Sequence, residues 1–359
     1  MVAKRLRLRG KIVNSDESTA TRERITIRTV AAHAGVSVAA VSKVLRNAYG
    51  VSEALRGRVE ASIDTLNYRP SRTARGLRGS TFTIGLLLVD IRNPFLPEVI
   101  DGVNGVLAPS HYRAMIGVGE ARTQLETSLI ESMIDYKMDG LILVAPRLPS
   151  DVIARFAQQI PIVAVGYHDP TAELFDTVNC DDQRGAALAV EAFLERGYRR
   201  ISMLTFGARD GHRVSVVRQR EIGYRRTMEA AGLASDIEIH SVPVLSPDRE
   251  DSIRAFISRP HRPEAVFCWS DLDAVTLLNL AAEMNIRVPE DLAVIGYDNS
   301  PVAGLSLINL SSIDQSGRAL GVIATETLMS RIKGRQEPVA RTTPPRLIAR
   351  RSLSHAEKS

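Results

Sequence analysis

The sequence predicts two classes of structure in one chain: a small all-α head at the N-terminus and a larger α/β body of doubly wound parallel sheets. Apolar residues recur at helical spacing between residues 27 and 66. From residue 81 onward, apolar runs of strand length alternate with amphipathic segments. This second pattern covers roughly 270 residues, more than a usual single core, which indicates two sheets side by side.

Charge divides the chain at the same place. Residues 1–80 contain 16 Lys and Arg against 6 Asp and Glu, a net charge of +10. The whole chain has a net charge of +5, so residues 81–359 carry a net charge of −5. Residues 1–24 lack periodicity, which favours a basic, disordered extension. Beyond residue 25 the basic residues lie among patterned apolar ones, as in a folded module that binds phosphates.

Composition excludes several other classes. Cys180 and Cys268 are isolated, which argues against a disulfide framework or a zinc site and fits a reducing compartment. No apolar run follows the basic N-terminus, so we expect neither a secretory signal nor a membrane anchor. The predicted location is the cytoplasm.

The head is expected to contain three short helices. The first ends at Gly35, which supplies positive φ; Ser37 is expected to cap the second helix and Ser52 to open the third. The predicted inward residues are Ile27, Val30, Ala31 and Ala34 in the first helix, Ala40, Val41, Val44 and Leu45 in the second, and Leu55, Val59, Ile63 and Leu66 in the third. Taken alone, the turn Ala-Gly-Val-Ser is equally typical of an ordinary helical hairpin.

The segment RPSRTARGLRG, residues 69–79, places arginines at every third position and has one large apolar residue, Leu77. On a helix this spacing makes a basic face. Gly76 and Gly79 disfavour so short an isolated helix, so a flexible basic linker is the alternative.

Eight apolar runs predict the strands of the body. Their continuous apolarity indicates that both faces of each sheet are covered, and ligands in such folds bind at the carboxyl ends of strands. The runs are TIGLLLVD, RAMIGVG, GLILVAP, PIVAVGY, ISMLTF, IEIHSVPV, AVFCWS and LAVIGYD.

No catalytic or cofactor motif is present. Gly117 and Gly119 follow a strand, but Arg122 stands where a dinucleotide-binding loop needs its third glycine. The sequence has no GxSxG, HExxH or P-loop, and its seven histidines lack metal-ligand spacing. We therefore expect no enzyme activity, no cofactor and no metal.

Three stretches in order, TIRTVAAHAGVSVAAVSKVLRN, VSEALRGRVEASIDTLNYRPSRTARGLRG and TFTIGLLLVDIRNPF, closely resemble the lactose/galactose-repressor (LacI/GalR) family of bacterial transcription regulators. The resemblance runs from about residue 25 to 352. It implies a helix-turn-helix DNA-binding domain at 25–70, a hinge at 71–81 and a two-lobed, periplasmic-binding-protein-like body at 82–355. The implied N-lobe comprises about 82–178 and 316–344, and the C-lobe about 179–315 and 345–355, with crossings near 178, 315 and 344.

In this family the second head helix lies in the major groove, which implies that Val38, Ala39 and Lys43 meet base edges. Lys43 can donate to guanine, whereas Val38 and Ala39 can touch only thymine methyls; they are otherwise tolerated surface residues. Thr26 is expected to cap the first helix and reach a phosphate, in a capping box weakened because Thr29 stands where relatives often have Asp.

The resemblance also implies that the hinge orders as a helix on an operator, where paired Leu77 side chains wedge open a central base step from the minor groove. The complete predicted DNA-binding set is Thr26, Ser37, Val38, Ala39, Ser42, Lys43, Arg46, Asn47, Tyr68, Arg72, Ala74, Arg75, Leu77 and Arg78.

A cleft for a small effector is implied at strand ends of the body. Alternatives remain for three residues: Arg220 and Asp298 could instead form an interlobe salt bridge, and Phe95 could belong to the lobe core. Trp269 is expected in the core rather than stacked on a sugar. The predicted effector-binding residues are Asp90, Asn93, Phe95, Tyr167, Arg220, Ser270, Asp271, Asp298 and Gln315.

The resemblance thus implies a ligand-responsive repressor of carbohydrate-use genes that binds double-stranded operator DNA as a homodimer. A small-molecule effector, expected to be a carbohydrate, controls it, and no membrane partner is expected. The tail has no leucine heptads, which favours a dimer over a tetramer. A solute-binding protein sharing the body is the alternative, disfavoured by the head; an enzyme on a two-lobed body is disfavoured because no catalytic constellation is present.

Overall fold

A computed structural model describes residues 25–45, 48–69, 80–206, 215–242 and 248–353. The chain divides into two compact units, a head up to residue 74 and a body from residue 75. The predicted extension at 1–24 and nearly all of the predicted hinge lie outside the described residues. The same holds for Arg46, Asn47, Arg72, Ala74, Arg75, Leu77 and Arg78.

The head consists of α1 (Ile27–Ala34), α2 (Val38–Leu45) and α3 (Glu53–Thr65). Gly35 ends α1 with φ of 66°, in the left-handed region where a glycine avoids the Cβ clash. Ser37 Oγ accepts a hydrogen bond from Ala40 N at 3.1 Å, and Ser52 caps α3. The predicted head is therefore confirmed, with a buried core of Val30, Ala31, Ala34, Val41, Val44 and Val59.

The N-lobe of the body is built on a six-stranded sheet. Its strands are β1 (Thr83–Leu88), β2 (Arg113–Val118), β3 (Gly140–Val144), β4 (Ile162–Val165), β5 (Asp176–Cys180) and β11 (Ala340–Thr343). They are all parallel, in the order β11-β5-β4-β3-β1-β2. Its helices are α4 (Leu96–Leu107), α5 (Thr123–Asp135), α6 (Ser150–Ala157) and α11 (Gly317–Ile332). Continuous apolar strands such as TIGLLL are buried because helices cover both faces.

The C-lobe contains a second six-stranded sheet. Its strands are β6 (Ile201–Phe206), β7 (Glu238–Val242), β8 (Ala265–Cys268), β9 (Ala293–Tyr297), β10 (Ser311–Asp314) and β12 (Arg346–Ile348). Their order is β12-β10-β9-β8-β6-β7. Its helices are α7 (Asp182–Glu195), α8 (Val216–Ala230), α9 (Arg249–Ser258) and α10 (Asp271–Glu283), with a 3₁₀ turn at Ala234–Asp236.

The chain passes between the lobes at three places: from β5 into α7, from β10 into α11, and from β11 into β12. Each lobe is therefore built from separate segments of the sequence.

The eight apolar runs all form strands, namely β1 to β4 and β6 to β9. The structure corrects two details of the expected sheets. They are not entirely parallel, since β12 pairs antiparallel with β10. The strand β2 is not covered on both faces, because it is the edge of its sheet and leaves Met115 and Ile116 about half exposed.

Helices α4 and α11 cross at a pair of glycines in the N-lobe. A Cβ added at Gly102 would lie 2.2 Å from the backbone oxygen of Arg318, and one at Gly321 would lie 2.1 Å from that of Val99. The backbones approach this closely because neither residue has a side chain. This crossing fixes α11, and with it the connection that carries Gln315.

Candidate functional site

In the head, the exposed face of α2 presents Ala39 and Lys43. Val38 is half-buried and packs against the head core, although the sequence placed it among the outward residues. Ser42 is half-buried on the same helix. The described part of α2 therefore offers one cationic donor beside a small apolar surface.

The start of α1 carries a capping box in which threonine replaces the acidic residue. Thr26 Oγ1 accepts a hydrogen bond from Thr29 N at 3.4 Å, and Thr29 Oγ1 accepts one from Thr26 N at 3.2 Å. Both bonds are long, as expected for a weakened box. Thr26 is exposed, and Tyr68 packs partly buried against the head core.

In the body, a cavity of about 380 Å³ lies between the lobes. It is lined by residues that follow β1, β3 and β4 in the N-lobe and β6, β8 and β9 in the C-lobe. Carboxyl ends of parallel strands meet at this edge, which is where ligands bind in such folds. Seven of the nine predicted effector residues line it: Asp90, Asn93, Phe95, Arg220, Ser270, Asp298 and Gln315.

Arg220, on α8, is fully buried at the floor of the cavity. Its Nε donates to Asp182 Oδ1 at 2.7 Å, its guanidinium lies 3.5 Å from the ring centroid of Tyr297, and Nη1 donates to the carbonyl of Trp269. Burial opposes the charged form, but Asp182 outweighs it and raises the pKa of Arg220. The arginine is therefore a fixed cation that is already compensated by a carboxylate.

Asp182 was not predicted from the sequence as a residue of the cavity. Burial tends to raise its pKa, yet the charge of Arg220 and the bond to His168 lower the pKa below the ordinary value. His168 Nε2 lies 2.7 Å from Asp182 Oδ2 and belongs to the loop after β4, so this contact joins the two lobes. The available signal was the polar pair Asp181-Asp182 directly after a strand end.

Asp298 connects the two lobes through its carboxylate. Asn93 Nδ2 from the N-lobe donates to Oδ2 at 3.1 Å, and Gln315 Nε2, from the connection between lobes, donates to Oδ1 at 2.5 Å. Burial raises the pKa of Asp298 to about 7 against the opposing charge of Arg220. Its φ of 112° is a strained backbone conformation of the kind that clusters at functional sites.

Arg220 and Asp298 do form a long ion pair, but the suggestion that it joins the two lobes was wrong. Both residues belong to the C-lobe, their charged atoms are 4.0 Å apart, and Asp182 is the nearer partner of Arg220. Phe95 both lines the cavity and packs in the N-lobe core. Trp269 likewise lines the cavity, with its ring 4.3 Å from that of Phe206 and edge-on to it.

Two predicted residues are not brought to the cavity. Tyr167 is buried within the N-lobe, where its hydroxyl donates to the carbonyl of Leu148 at 2.9 Å. Asp271 is the buried first residue of α10, where Oδ2 accepts bonds from Ser300 and Oδ1 accepts one from Ser312. Both side chains therefore form hydrogen bonds within their own lobes.

Three further arginines line the cavity that were not predicted from the sequence: Arg92 after β1, Arg147 after β3, and Arg249 at the start of α9. Each lies at a strand end or helix start, which was the available signal. No group of three or more metal-ligating side chains occurs among the described residues. No described helix has the length and apolarity to cross a bilayer.

A helix-turn-helix head in the same chain as a two-lobed body with a polar interlobe cleft defines a ligand-responsive, DNA-binding transcription regulator. Residues 26–71 match the family model for bacterial regulatory proteins of the lacI family, and residues 190–353 match that for a periplasmic binding protein-like domain. The chain belongs to the lacI family. The transcriptional repressor PurR of Photobacterium profundum is 31% identical over 338 residues, 91% of this chain and 98% of the relative.

Solved structures have the same architecture. The regulator CelR in complex with cellobiose is 27% identical, with a TM-score of 0.66, and the match covers 92% of this chain and 100% of that one. The lac repressor dimer bound to operator and an anti-inducer is 22% identical, with a TM-score of 0.78, and the match covers 92% of this chain and 99% of that one. This likeness shows the fold alone. These relatives are regulators, and the protein is not an enzyme.

Proposed function

We propose that this protein represses carbohydrate-use genes by binding a palindromic operator as a homodimer, and that a small carbohydrate in the interlobe cavity controls its affinity for DNA. The hydrogen bond between Asn93 and Asp298 carries the proposal, because it ties the lobes together through groups that also line the cavity. A ligand that replaces or reinforces this bond changes the relative stability of lobe arrangements. The DNA target places the protein in the cytoplasm, with the nucleoid.

The chemistry of the cavity floor suits hydroxyl groups. Carboxylates of Asp182 and Asp298 accept, the amides of Asn93 and Gln315 both donate and accept, and Arg220 donates. The rings of Phe206 and Trp269 add apolar surface, as binding sites for small molecules require. The complex of the relative CelR with cellobiose supports a sugar as the effector class.

The proposed mechanism connects the cavity to the hinge at 71–81. A ligand that favours one lobe arrangement sets the separation of the two N-lobes in a dimer, and paired hinge helices form at one separation. Leu77 then enters the central base step, and the DNA-reading face of α2 docks in the major groove. The expected coupling between effector and operator is about 1–3 kcal/mol, and it is reciprocal.

A gel-shift assay with DNA from upstream of the neighbouring genes, with and without pools of sugars, tests this function. We expect specific retardation that one pool abolishes or enhances, and a dimeric mass in solution by light scattering. Lack of specific DNA binding would favour the solute-binding alternative. DNA binding that no pool alters, while a sugar binds the protein, would remove the proposed coupling.

A further inference from the structure

The charges that line the cavity are unevenly distributed between its floor and its rim. At the floor, Arg220 lies between Asp182 and Asp298, and all three side chains are at most 2% exposed. At the rim are the side chains of Arg92 and Arg249, which are 54% and 23% exposed, and of the half-buried Arg147. Among the described lining residues, Asp90 is the sole carboxylate at this rim.

The rim arginines come from both lobes. Arg92 and Arg147 follow strands of the N-lobe, whereas Arg249 opens α9 in the C-lobe. Arg147 already reaches across the cleft, since its guanidinium carbon lies 5.2 Å from the ring centroid of Phe206 at the end of β6. The rim therefore presents cationic groups on two facing walls.

Each of two rim arginines is oriented by a carboxylate of its own lobe. Arg92 donates from Nε to Asp90 Oδ1 at 3.0 Å, and Arg249 contacts the fully buried Asp273. Burial and the like charge of Arg92 both lower the pKa of Arg249. The two guanidinium groups, each paired with a carboxylate, therefore line the same cavity from opposite lobes.

We propose that the effector carries an oxyanion, a carboxylate or a phosphate, which binds between Arg92 and Arg249 while its hydroxyl groups bind the floor around Arg220 and Asp298. This inference rests on the proposed function and names its ligand class as an acidic carbohydrate. A guanidinium binds either oxyanion with paired N–H donors. An anion bound by arginines of both lobes adds an attractive contact across the cleft, so it favours the lobe arrangement in which both arginines reach it.

Titration calorimetry on the full-length protein tests the ligand class. The panel pairs glucose, galactose and mannose with their aldonic acids and with their 6-phosphates, and inorganic phosphate is the minimal probe. We expect an acid or a phosphate to bind at least tenfold more tightly than its neutral counterpart, and the two acidic series to show which oxyanion is preferred. A neutral sugar that binds as tightly as its acidic forms, or an absence of binding by every anion, overturns the proposal.

Two variants locate the anion. Arg249→Gln and Arg92→Gln should each weaken binding of the acidic compound at least tenfold, with little effect on any binding of the neutral sugar. Arg254→Gln, on the same helix but paired with Glu283 away from the cavity, is the matched control. Because Arg249→Gln leaves the buried Asp273 without its cation, the exposed Arg92→Gln provides the test that does not depend on folding.

The same proteins separate this inference from the proposed function. If a neutral sugar changes operator affinity in the gel shift and acids do not, the function stands and the oxyanion is wrong. If acids bind in an arginine-dependent way but leave operator affinity unchanged, the oxyanion site stands and the regulatory coupling is wrong. Equal binding by both arginine variants and the control overturns the site.

Discussion

Asn93 Nδ2 donates a hydrogen bond of 3.1 Å to Asp298 Oδ2, and this bond joins the loop after β1 in one lobe to the end of β9 in the other. Asn93 is itself held in place, because its Oδ1 accepts a bond from the backbone N of Phe95 at 2.9 Å. The other oxygen of Asp298 receives Gln315 from an interlobe connection. The carboxylate of Asp298 in the C-lobe is therefore bonded both to the N-lobe and to a connection between the lobes.

Replacing Asn93 with Asp places a second carboxylate beside Asp298. At pH 8 the repulsion between the two carboxylates must be relieved either by taking up a proton or by moving the groups apart, so the present lobe arrangement loses stability. We expect effector affinity to fall by about tenfold, which corresponds to ~1.4 kcal/mol, in titration calorimetry. The control is Asn104→Asp at an exposed site on α4; equal affinities for the two variants would contradict the role of Asn93.

Asp298 should make stability depend on pH near neutrality. Its pKa is about 7 in the folded protein, whereas an unfolded Asp has a pKa of about 3.9. Between these two pKa values the folded state binds the proton and the unfolded state does not. The contribution of Asp298 to the free energy of unfolding is therefore complete below about pH 4 and is lost as the pH rises through about 7. Urea unfolding of the wild type between pH 5 and 8 should show the fall.

The variant Asp298→Asn isolates this carboxylate, because Asn cannot titrate. Glu126 and Asp271 also have raised pKa values, about 7 and about 6, and give a slope of the same sign that the variant retains. The stability of the wild type relative to the variant should therefore fall as the pH rises from 5 to 8. Parallel pH profiles would show that Asp298 keeps an ordinary pKa.

Asp182→Asn should destabilise the C-lobe strongly. The substitution removes the nearer counter-ion of Arg220, which is fully buried and remains charged. Breaking a buried pair on one side typically costs about 3–5 kcal/mol. Asp181→Asn is the matched control, since the exposed Asp181 caps α7 through Arg184 N and Asn caps equally well. Urea unfolding that gave equal losses for both would refute the role of the pair.

The strands that could be predicted are those whose apolar pattern reflects burial by covering helices. Two of the four missed strands, β5 and β10, are buried yet polar, because specific partners satisfy their side chains. The other two, β11 and β12, are short and mostly exposed, so they lack a continuous apolar run. In β5, Asp176 is bound by Arg331 and Arg335, which lie more than 150 residues away in the sequence. In β10, Ser312 donates to Asp271. No local pattern contains this information.

The candidate site likewise contains residues that could be predicted from the sequence and residues that could not. Asp90, Asn93 and Asp298 could be placed because they follow apolar strands whose carboxyl ends converge, and because the family resemblance puts ligand contacts there. Asp182 was missed, since the polar strand β5 before it was not recognised and its role depends on Arg220, which is 38 residues away. Tyr167 follows a strand end as well, but its hydroxyl bonds to the carbonyl of Leu148 and turns the ring into the lobe. Position along a strand predicts the edge of the sheet, and packing decides which side chains face the cavity.

Leu77→Ala tests the predicted wedge in the hinge, and it rests on the sequence because Leu77 lies outside the described residues. A side chain that unstacks a central base step acts only where the site is bent and both hinges pair. Specific affinity, measured by fluorescence anisotropy, should therefore fall much more than affinity for random DNA. The control is Leu55→Ala in the head core, which should weaken both through folding. Equal loss for Leu77→Ala on both kinds of DNA would refute the wedge.

Lys43→Ala tests which part of α2 reads the operator. Lys43 is exposed beside the exposed Ala39, whereas Val38 packs partly against the head core. We therefore expect Lys43 to be the donor that reads a guanine edge. We expect a loss of about 1–3 kcal/mol on the preferred operator and a relaxed preference at one base pair of each half-site. Thr26→Ala is the comparison, because a residue that reaches a phosphate should weaken binding by a similar factor on every sequence. Anisotropy titrations against single-base operator variants distinguish the two patterns, and a uniform loss for Lys43→Ala would instead assign it to the DNA backbone.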